Sequence, residues 1–259
     1  MTSLQAKKEE VSVKQSLGRI APERITQFEI ERPDQALIDK LKTIGDPTST
    51  VADALDDLGL DKQIVSASTL VPGMHGKVMI GPAVTIRNVP LTDNLSPLQR
   101  ANRGSIKLAE IEAHNLSIEG DVLVMEGVHG VSNMGGVSSE ISRRQGAQGA
   151  IVSGGVRDVD HSRSVDYGVW ASERTPLTGK WRIETIEVNG PVKIFGAHVE
   201  PGDVVVADDT GVCFIPRRFL PIVVENVLRK SDIEERRLEA IRAGVALSAP
   251  NVRQPDERC

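Results

Sequence analysis

The sequence predicts an α/β fold, a single domain with mixed sheets and an N-terminal arm, and three observations carry that prediction. Between Asp121 and Asp160 a strand-like run, a glycine-rich loop, a polar helical stretch and a second strand-like run succeed one another. That is the order of a βαβ unit, which makes part of the sheet parallel. Later, the short runs VKIFGAHV, DVVVADD and GVCFIP are separated by Pro201-Gly202 and Asp209-Thr210-Gly211, hairpin signals that imply antiparallel strands. Only 3% of residues are aromatic, so the core is built from the small, often β-branched side chains that suit buried strands.

Residues 1–32 mix charged and apolar side chains without a sustained period and read as an arm that packs on a neighbouring subunit; residues 33–245 form the domain and 246–259 a polar tail. Leu37, Ile38 and Leu41 recur at helical spacing, predicting a helix from Pro33 or Asp34 to Ile44, which Gly45 ends. Thr48, Ser49 and Thr50 offer N-caps for a second helix carrying Val51, Ala54, Leu55 and Leu58 on one side, with Gly59 as its stop. KVMIGPAVTIRNV reads as strands bent at Gly81-Pro82, and the cluster of Pro90, Asp93, Asn94 and Pro97 makes 91–102 a loop. Then come a helix over 106–116, the strand VLVM, a helix over 137–145, and a strand over 150–153 that gives way to Gly154-Gly155. A charged helix over 221–243 closes the domain.

A chain of 259 residues with 39% hydrophobic and 26% charged residues can bury one large core. Its formal charge is -5 and its basic residues are interspersed with acidic ones, so the footprint of a nucleic-acid binder is missing. Cys213, in an apolar run, and Cys259, the last residue, give neither a disulfide framework nor metal-ligand spacing; a cytoplasmic location is the expectation. Lys7, Lys8, Glu9 and Glu10 stand where a signal peptide needs an apolar stretch, and no run is long enough to span a bilayer. No membrane or nucleic-acid partner is expected.

The loop GVHGVSNMGGVSSE lies between a strand end and a helix start, where unpaired N–H groups favour an anion. It is neither G-x-G-x-x-G nor a Walker A loop, and its glycines also suit a plain tight turn. Arg157-Asp158 follows a buried-looking strand and two glycines, at the carboxyl edge of the βαβ unit where ligands of α/β sheets bind. The bland alternative is a surface ion pair. Arginine grips a carboxylate through a rigid fork, and one aspartate with waters and substrate oxygens suffices for Mg²⁺ or Mn²⁺. Ser138 and Ser139 lack the G-x-S-x-G elbow. His75, His114, His129, His161 and His198 have no i,i+4 pairing that would suggest zinc. His129, inside the glycine loop, is the histidine to watch as a proton carrier. Lys180 and Lys193 sit in polar, turn-rich surroundings, which speaks against a Schiff-base lysine. Asp208-Asp209 is explained by turn chemistry.

The pieces TSTVADALDDLG, GPAVTIR, GDVLVMEG, the GG loop with its helix, GAQGAIVSGGVRDVD and VEPGDVVVADDTGVCFIPR, in this order and spacing, resemble the RraA-like family over about residues 43–244. That family includes the class II 4-hydroxy-4-methyl-2-oxoglutarate/4-carboxy-4-hydroxy-2-oxoadipate aldolases and the ribonuclease E inhibitor. The resemblance implies a β/β/α swivelling-type domain, assembly as a homotrimer or homohexamer, and a site near a subunit boundary. It assigns the pyruvyl group to Arg157, direct ligation of Mg²⁺ or Mn²⁺ to Asp158, and the substrate carboxylate to backbone amides around Gly135, Gly136, Val137 and Ser138. It also implies a glutamate from a neighbouring subunit, Glu234 or Glu235. One position departs: the family's aldolases carry an acid where this chain has Gly136, and there it orders metal-bound water.

The expected activity is therefore a divalent-metal-dependent lyase with Arg157 and Asp158 as catalytic residues. Its substrate would be a small anionic oxo acid, cleaved at a C–C bond of a 4-hydroxy-2-oxo acid with release of pyruvate, or decarboxylated as oxaloacetate. The alternatives are a non-catalytic regulator of an RNase, which Gly136 keeps alive, and a related lyase or hydrolase acting on another oxo or hydroxy acid.

Overall fold

The computed structural model describes residues 15–250 and residue 252. In chain order the elements are α1 (Gln35–Leu41), α2 (Pro47–Asp56), β1 (Ile64–Ser66), β2 (Val71–Pro72), β3 (Met79–Pro90), α3 (Pro97–Arg103), α4 (Ile111–Leu116), β4 (Val122–Glu126), α5 (Gly136–Arg144), β5 (Gly149–Val156), α6 (Val159–Ser164), β6 (Gly168–Arg174), β7 (Ile183–Val188), β8 (Val192–Ile194), β9 (Ala197–Val199), β10 (Val204–Ala207), β11 (Gly211–Ile215) and α7 (Leu220–Arg242). Nine strands form one mixed sheet in the order β1-β11-β10-β3-β4-β5-β6-β2, with β7 also paired to β3, while β8 and β9 form a separate hairpin. Strands β3 to β6 run parallel and the other pairings are antiparallel.

Side-chain alternation sets the layers, because successive strand residues face opposite sides. Along β4, Leu123 and Met125 join a core with α4 and the arm, whereas Val122 and Val124 face the β8–β9 hairpin. Along β10, Val205 and Ala207 face the hairpin, and Val204 and Val206 pack with α1, α2 and α7. The parallel strands β4 and β5, inside the sheet, are thereby buried on both faces, and the loops that follow them are left to carry chemistry.

Several expectations need correction. β3 is one continuous strand of 12 residues, not two strands bent at Gly81-Pro82. Its pairing with β4 begins at Ala83, so the N–H missing from Pro82 falls outside that ladder. The predicted loop over 91–102 contains α3: Pro97 fills the first turn, and Ser96 with Gln99 forms a reciprocal capping box. The helix predicted over 106–116 starts only at Ile111, since Lys107 bridges to Glu184 as extended chain. Asp46 and Pro47 start α2, so Thr48 lies inside it; its hydroxyl and N–H bind Asp208 at 2.6 and 3.0 Å. Pro201-Gly202 is no hairpin, because β9 and β10 do not pair; the turn feeds the chain into the sheet through Gly202 N–H to Ala83 O, 2.9 Å. Phe195-Gly196, both residues at positive φ, closes the β8–β9 hairpin, and the turn at Asp209-Thr210 joins β10 to antiparallel β11 as expected.

The described part of the arm packs on its own chain. Ile20, Ile25 and Ile30 are buried in the core beside α4. The Glu112 carboxylate, wholly buried on α4, accepts the N–H groups of Leu17 and Arg19 and the Ser16 hydroxyl. Arg32 binds buried Asp121 through two nitrogens, at 2.9 and 2.7 Å. Residues 1–14 lie outside the described residues. In the tail, Val252 is buried, and residues 253–259 with Cys259 lie outside the description.

Candidate active site

The site forms where β5 ends. Gly154 and Gly155 belong to the strand, at a register shift against β6, instead of forming a loop after it. Their lack of a side chain is required, since a Cβ on Gly155 would sit 2.5 Å from Val131 O and one on Gly154 2.8 Å from Val128 O. The glycine loop after β4 thus lies directly over the strand. Buried Asn133 fixes it, donating to Val128 O (2.9 Å) and Gly155 O (3.1 Å) and accepting the Val128 N–H (2.8 Å).

This packing brings Arg157-Asp158 against the start of α5. Asp158 adopts φ 53, a left-handed conformation that aspartate tolerates better than most residues, and stands as the N-cap of α6. Its Oδ2 accepts the Gly136 N–H at 3.0 Å and lies 3.5 Å from Arg157 Nε. Its Oδ1 and the two terminal nitrogens of Arg157 have no hydrogen-bond partner among the described residues, although both side chains are only half exposed, at 49% and 43%. The four amides expected to hold a carboxylate are therefore unequal. Gly136 N–H is committed to Asp158, while Val137 and Ser138 keep first-turn N–H groups that no intrahelical carbonyl can satisfy.

A cavity of about 210 Å³ collects these groups, and its opposite wall brings residues the sequence did not point to. Glu110, just ahead of α4, accepts the Ser138 hydroxyl at 3.1 Å. Burial holds its carboxyl above the ordinary range, against weaker pulls from its own backbone amide, Ser138 and Arg157. His114, wholly buried on α4, also lines the cavity; neither ring nitrogen has a partner among the described residues, and burial pushes its pKa down to about 4. Lys180 reaches the rim with its ammonium 4.7 Å from the centre of the Trp181 ring.

Other candidates fall away. His129 is not part of this cavity, and its Nδ1 is tied to Glu173 at 2.5 Å. Lys193 lies on the β8–β9 hairpin. Asp208 accepts from Thr48 and from the Thr210 N–H at 2.7 Å, which is turn chemistry as expected. The Cys213 thiol is buried and pushed up to about 12, so it supplies no thiolate. Glu234 and Glu235 project from α7, whose core contacts are with α1 and α2, and do not line this cavity of their own chain.

For a divalent ion, the donor set is Asp158 with its free Oδ1. No group of three or more His, Cys, Asp or Glu able to hold a metal occurs among the described residues. A single half-exposed carboxylate beside an open cavity fits Mg²⁺ or Mn²⁺, which keep several waters, and does not fit a zinc cage.

A model of the RraA-like family (Aldolase/RraA) matches residues 48–214. Protein DlpA of Legionella pneumophila is 30% identical over 200 residues, which is 77% of this chain and 31% of that protein, so the chain spans about a third of DlpA. A putative 4-hydroxy-4-methyl-2-oxoglutarate aldolase of Halalkalibacterium halodurans is 27% identical over 79% of this chain and 88% of its own length. Among solved structures, Streptomyces coelicolor RraAS2, described as an unusual member of the RNase ES inhibitor RraA protein family, superposes with a TM-score of 0.67 and 25% identity, covering 80% of this chain and 98% of that one.

Proposed function

The chain belongs to the RraA-like family, and on that premise we propose that the cleft at Arg157 and Asp158 is a divalent-metal-dependent lyase site for a small 2-oxo acid. The substrate class is a 4-hydroxy-2-oxo acid split to pyruvate, or oxaloacetate losing CO₂. One observation carries the reading: a guanidinium with free terminal nitrogens, a carboxylate with a free oxygen and two uncommitted helix-start amides line one small cavity. Arg157 presents its fork to the oxo-acid head and neutralises the charge that develops there when the C–C bond breaks. The Val137 and Ser138 amides orient the substrate carboxylate, aided by the helix dipole. Mg²⁺ or Mn²⁺ held by Asp158 would supply Lewis-acid stabilisation of the enolate. A volume of about 210 Å³ suits so small a molecule and not a nucleotide.

The test is a coupled pyruvate-release assay over 4-hydroxy-2-oxo acids and oxaloacetate, with and without each metal. Turnover that requires metal is expected. Asp158→Asn should lose both metal binding by calorimetry and roughly three orders of magnitude in rate, a several-kcal/mol effect. Equal metal binding by wild type and variant rejects Asp158 as the ligand.

One observation supports a second reading, that of a non-catalytic protein-binding regulator: Gly136 lacks the acid of the family's aldolases. Wild type that turns over nothing in the panel but inhibits an RNase would put that reading first.

A further inference from the structure

We propose that Glu110 is the proton-transfer residue of this cleft, supplying from the opposite wall the acid that the start of α5 lacks. The inference rests on the lyase reading above. At Gly136 the fit is tight: a Cβ there would lie 3.0 Å from the His161 ring, and that ring is held by Glu140 with Nε2–Oε1 at 3.2 Å. A side chain at this position would need that ring to give by a few tenths of an ångström.

Glu110 reaches the same helix start from the other side. It accepts the hydroxyl of Ser138, two residues beyond Gly136, and lines the cavity together with Arg157 and Asp158. The charged and titratable groups around it are Arg157 at the end of β5, Asp158 at the cap of α6, Lys180 ahead of β7 and His114 on α4. None of them competes for the role. Arg157 and Lys180 are cations without an acceptor site. Asp158 holds the Gly136 N–H with Oδ2 and has its Oδ1 assigned to the metal in the reading above, and both His114 nitrogens are enclosed. Burial keeps the Glu110 carboxyl above its usual range, closer to the pH at which a proton carrier is effective.

The step balances without a further reactant. The O–H bond of the substrate's C4 hydroxyl breaks and its proton passes to ionised Glu110. The C3–C4 bond breaks as C4 becomes a carbonyl, and its electron pair forms the enolate. Protonated Glu110 then gives that proton to C3, which yields pyruvate and restores the carboxylate.

The test follows exchange of the pyruvate methyl protons in deuterium oxide with Mg²⁺ present, beside calorimetric pyruvate binding and Tm. Glu110→Gln should slow exchange at least about 100-fold, within the range of general acid–base catalysis, while pyruvate binding and Tm hold. The limb of the wild-type pH profile that Glu110 controls should vanish, and formate should restore exchange to Glu110→Ala. Wild-type exchange in Glu110→Gln overturns the role of Glu110 and leaves the lyase reading standing. Loss of pyruvate binding without formate rescue also overturns it, in favour of a structural role. No exchange and no pyruvate release by wild type overturns both readings together.

Discussion

Arg157-Asp158 and Glu110 line one cavity from opposite walls. The dipeptide Arg157-Asp158 could be read from sequence because it follows a strand and two glycines, and the structure brings it to the carboxyl edge of β5 as that position implies. Glu110 could not be read. It precedes a six-residue helix, and only the tertiary fold sets it against Ser138, 28 residues away. His114 hides for the same reason, and it makes a testable difference. Its pKa falls from 6.5 to about 4 on folding, so below pH 6.5 the unfolded chain takes up a proton that the folded chain refuses. Its stabilising effect is complete above pH 6.5 and is lost as pH falls towards 4, a change of roughly 3 kcal/mol. Denaturant unfolding at pH 7 and pH 4.5 should show His114→Leu losing much less stability between the two than wild type. Equal losses would assign the acid sensitivity to other groups.

Elements with a period of 2 or 3.6 were readable: β4, β5, α5 and α7 lie within a few residues of their expected bounds. Those set by one local bond or by packing were not. A capping box at Ser96 makes α3 out of what its prolines and acids presented as a loop. Gly154 and Gly155 look like a turn and are strand, because the loop over β5 needs the room. The arm had no period at all, since Ile20, Ile25 and Ile30 each enter the core from irregular chain. Its anchoring on Glu112 and Asp121 predicts the effect of truncation. Deleting residues before Pro33 strips donors from two buried carboxylates, and breaking even one buried pair costs about 3–5 kcal/mol. The truncated chain should unfold at a distinctly lower denaturant concentration, and Arg32→Leu should reproduce part of the fall. An unchanged midpoint would mean that the arm is bound in series with the fold and not into it.

At the scale of the whole molecule, α7 is longer than its own domain can cover. Leu220, Val223, Val224 and Val227 are buried, yet no residue from 228 to 242 is, and Ile233, Leu238 and Ile241 are each at least 40% exposed. About 15 residues of helix, on the order of 22 Å, therefore carry an apolar side with no cover among the described residues. We expect a neighbouring copy to cover it, in an assembly of three or six subunits, with Glu234 or Glu235 delivered to the neighbour's cleft. Light scattering should give a multiple of three, and truncation after Lys230 should lower it. A mixing experiment tests delivery of the glutamate apart from assembly. Asp158→Asn lacks the proposed metal ligand but keeps α7, and a chain with both Glu234→Gln and Glu235→Gln keeps the cleft but lacks the carboxylates. Each should be nearly inactive alone, and subunit exchange between them should restore activity, because some clefts then pair an intact Asp158 with an intact neighbouring α7. A monomer at micromolar concentration rejects the assembly, and a double glutamine variant with wild-type turnover rejects the shared site even if the trimer stands.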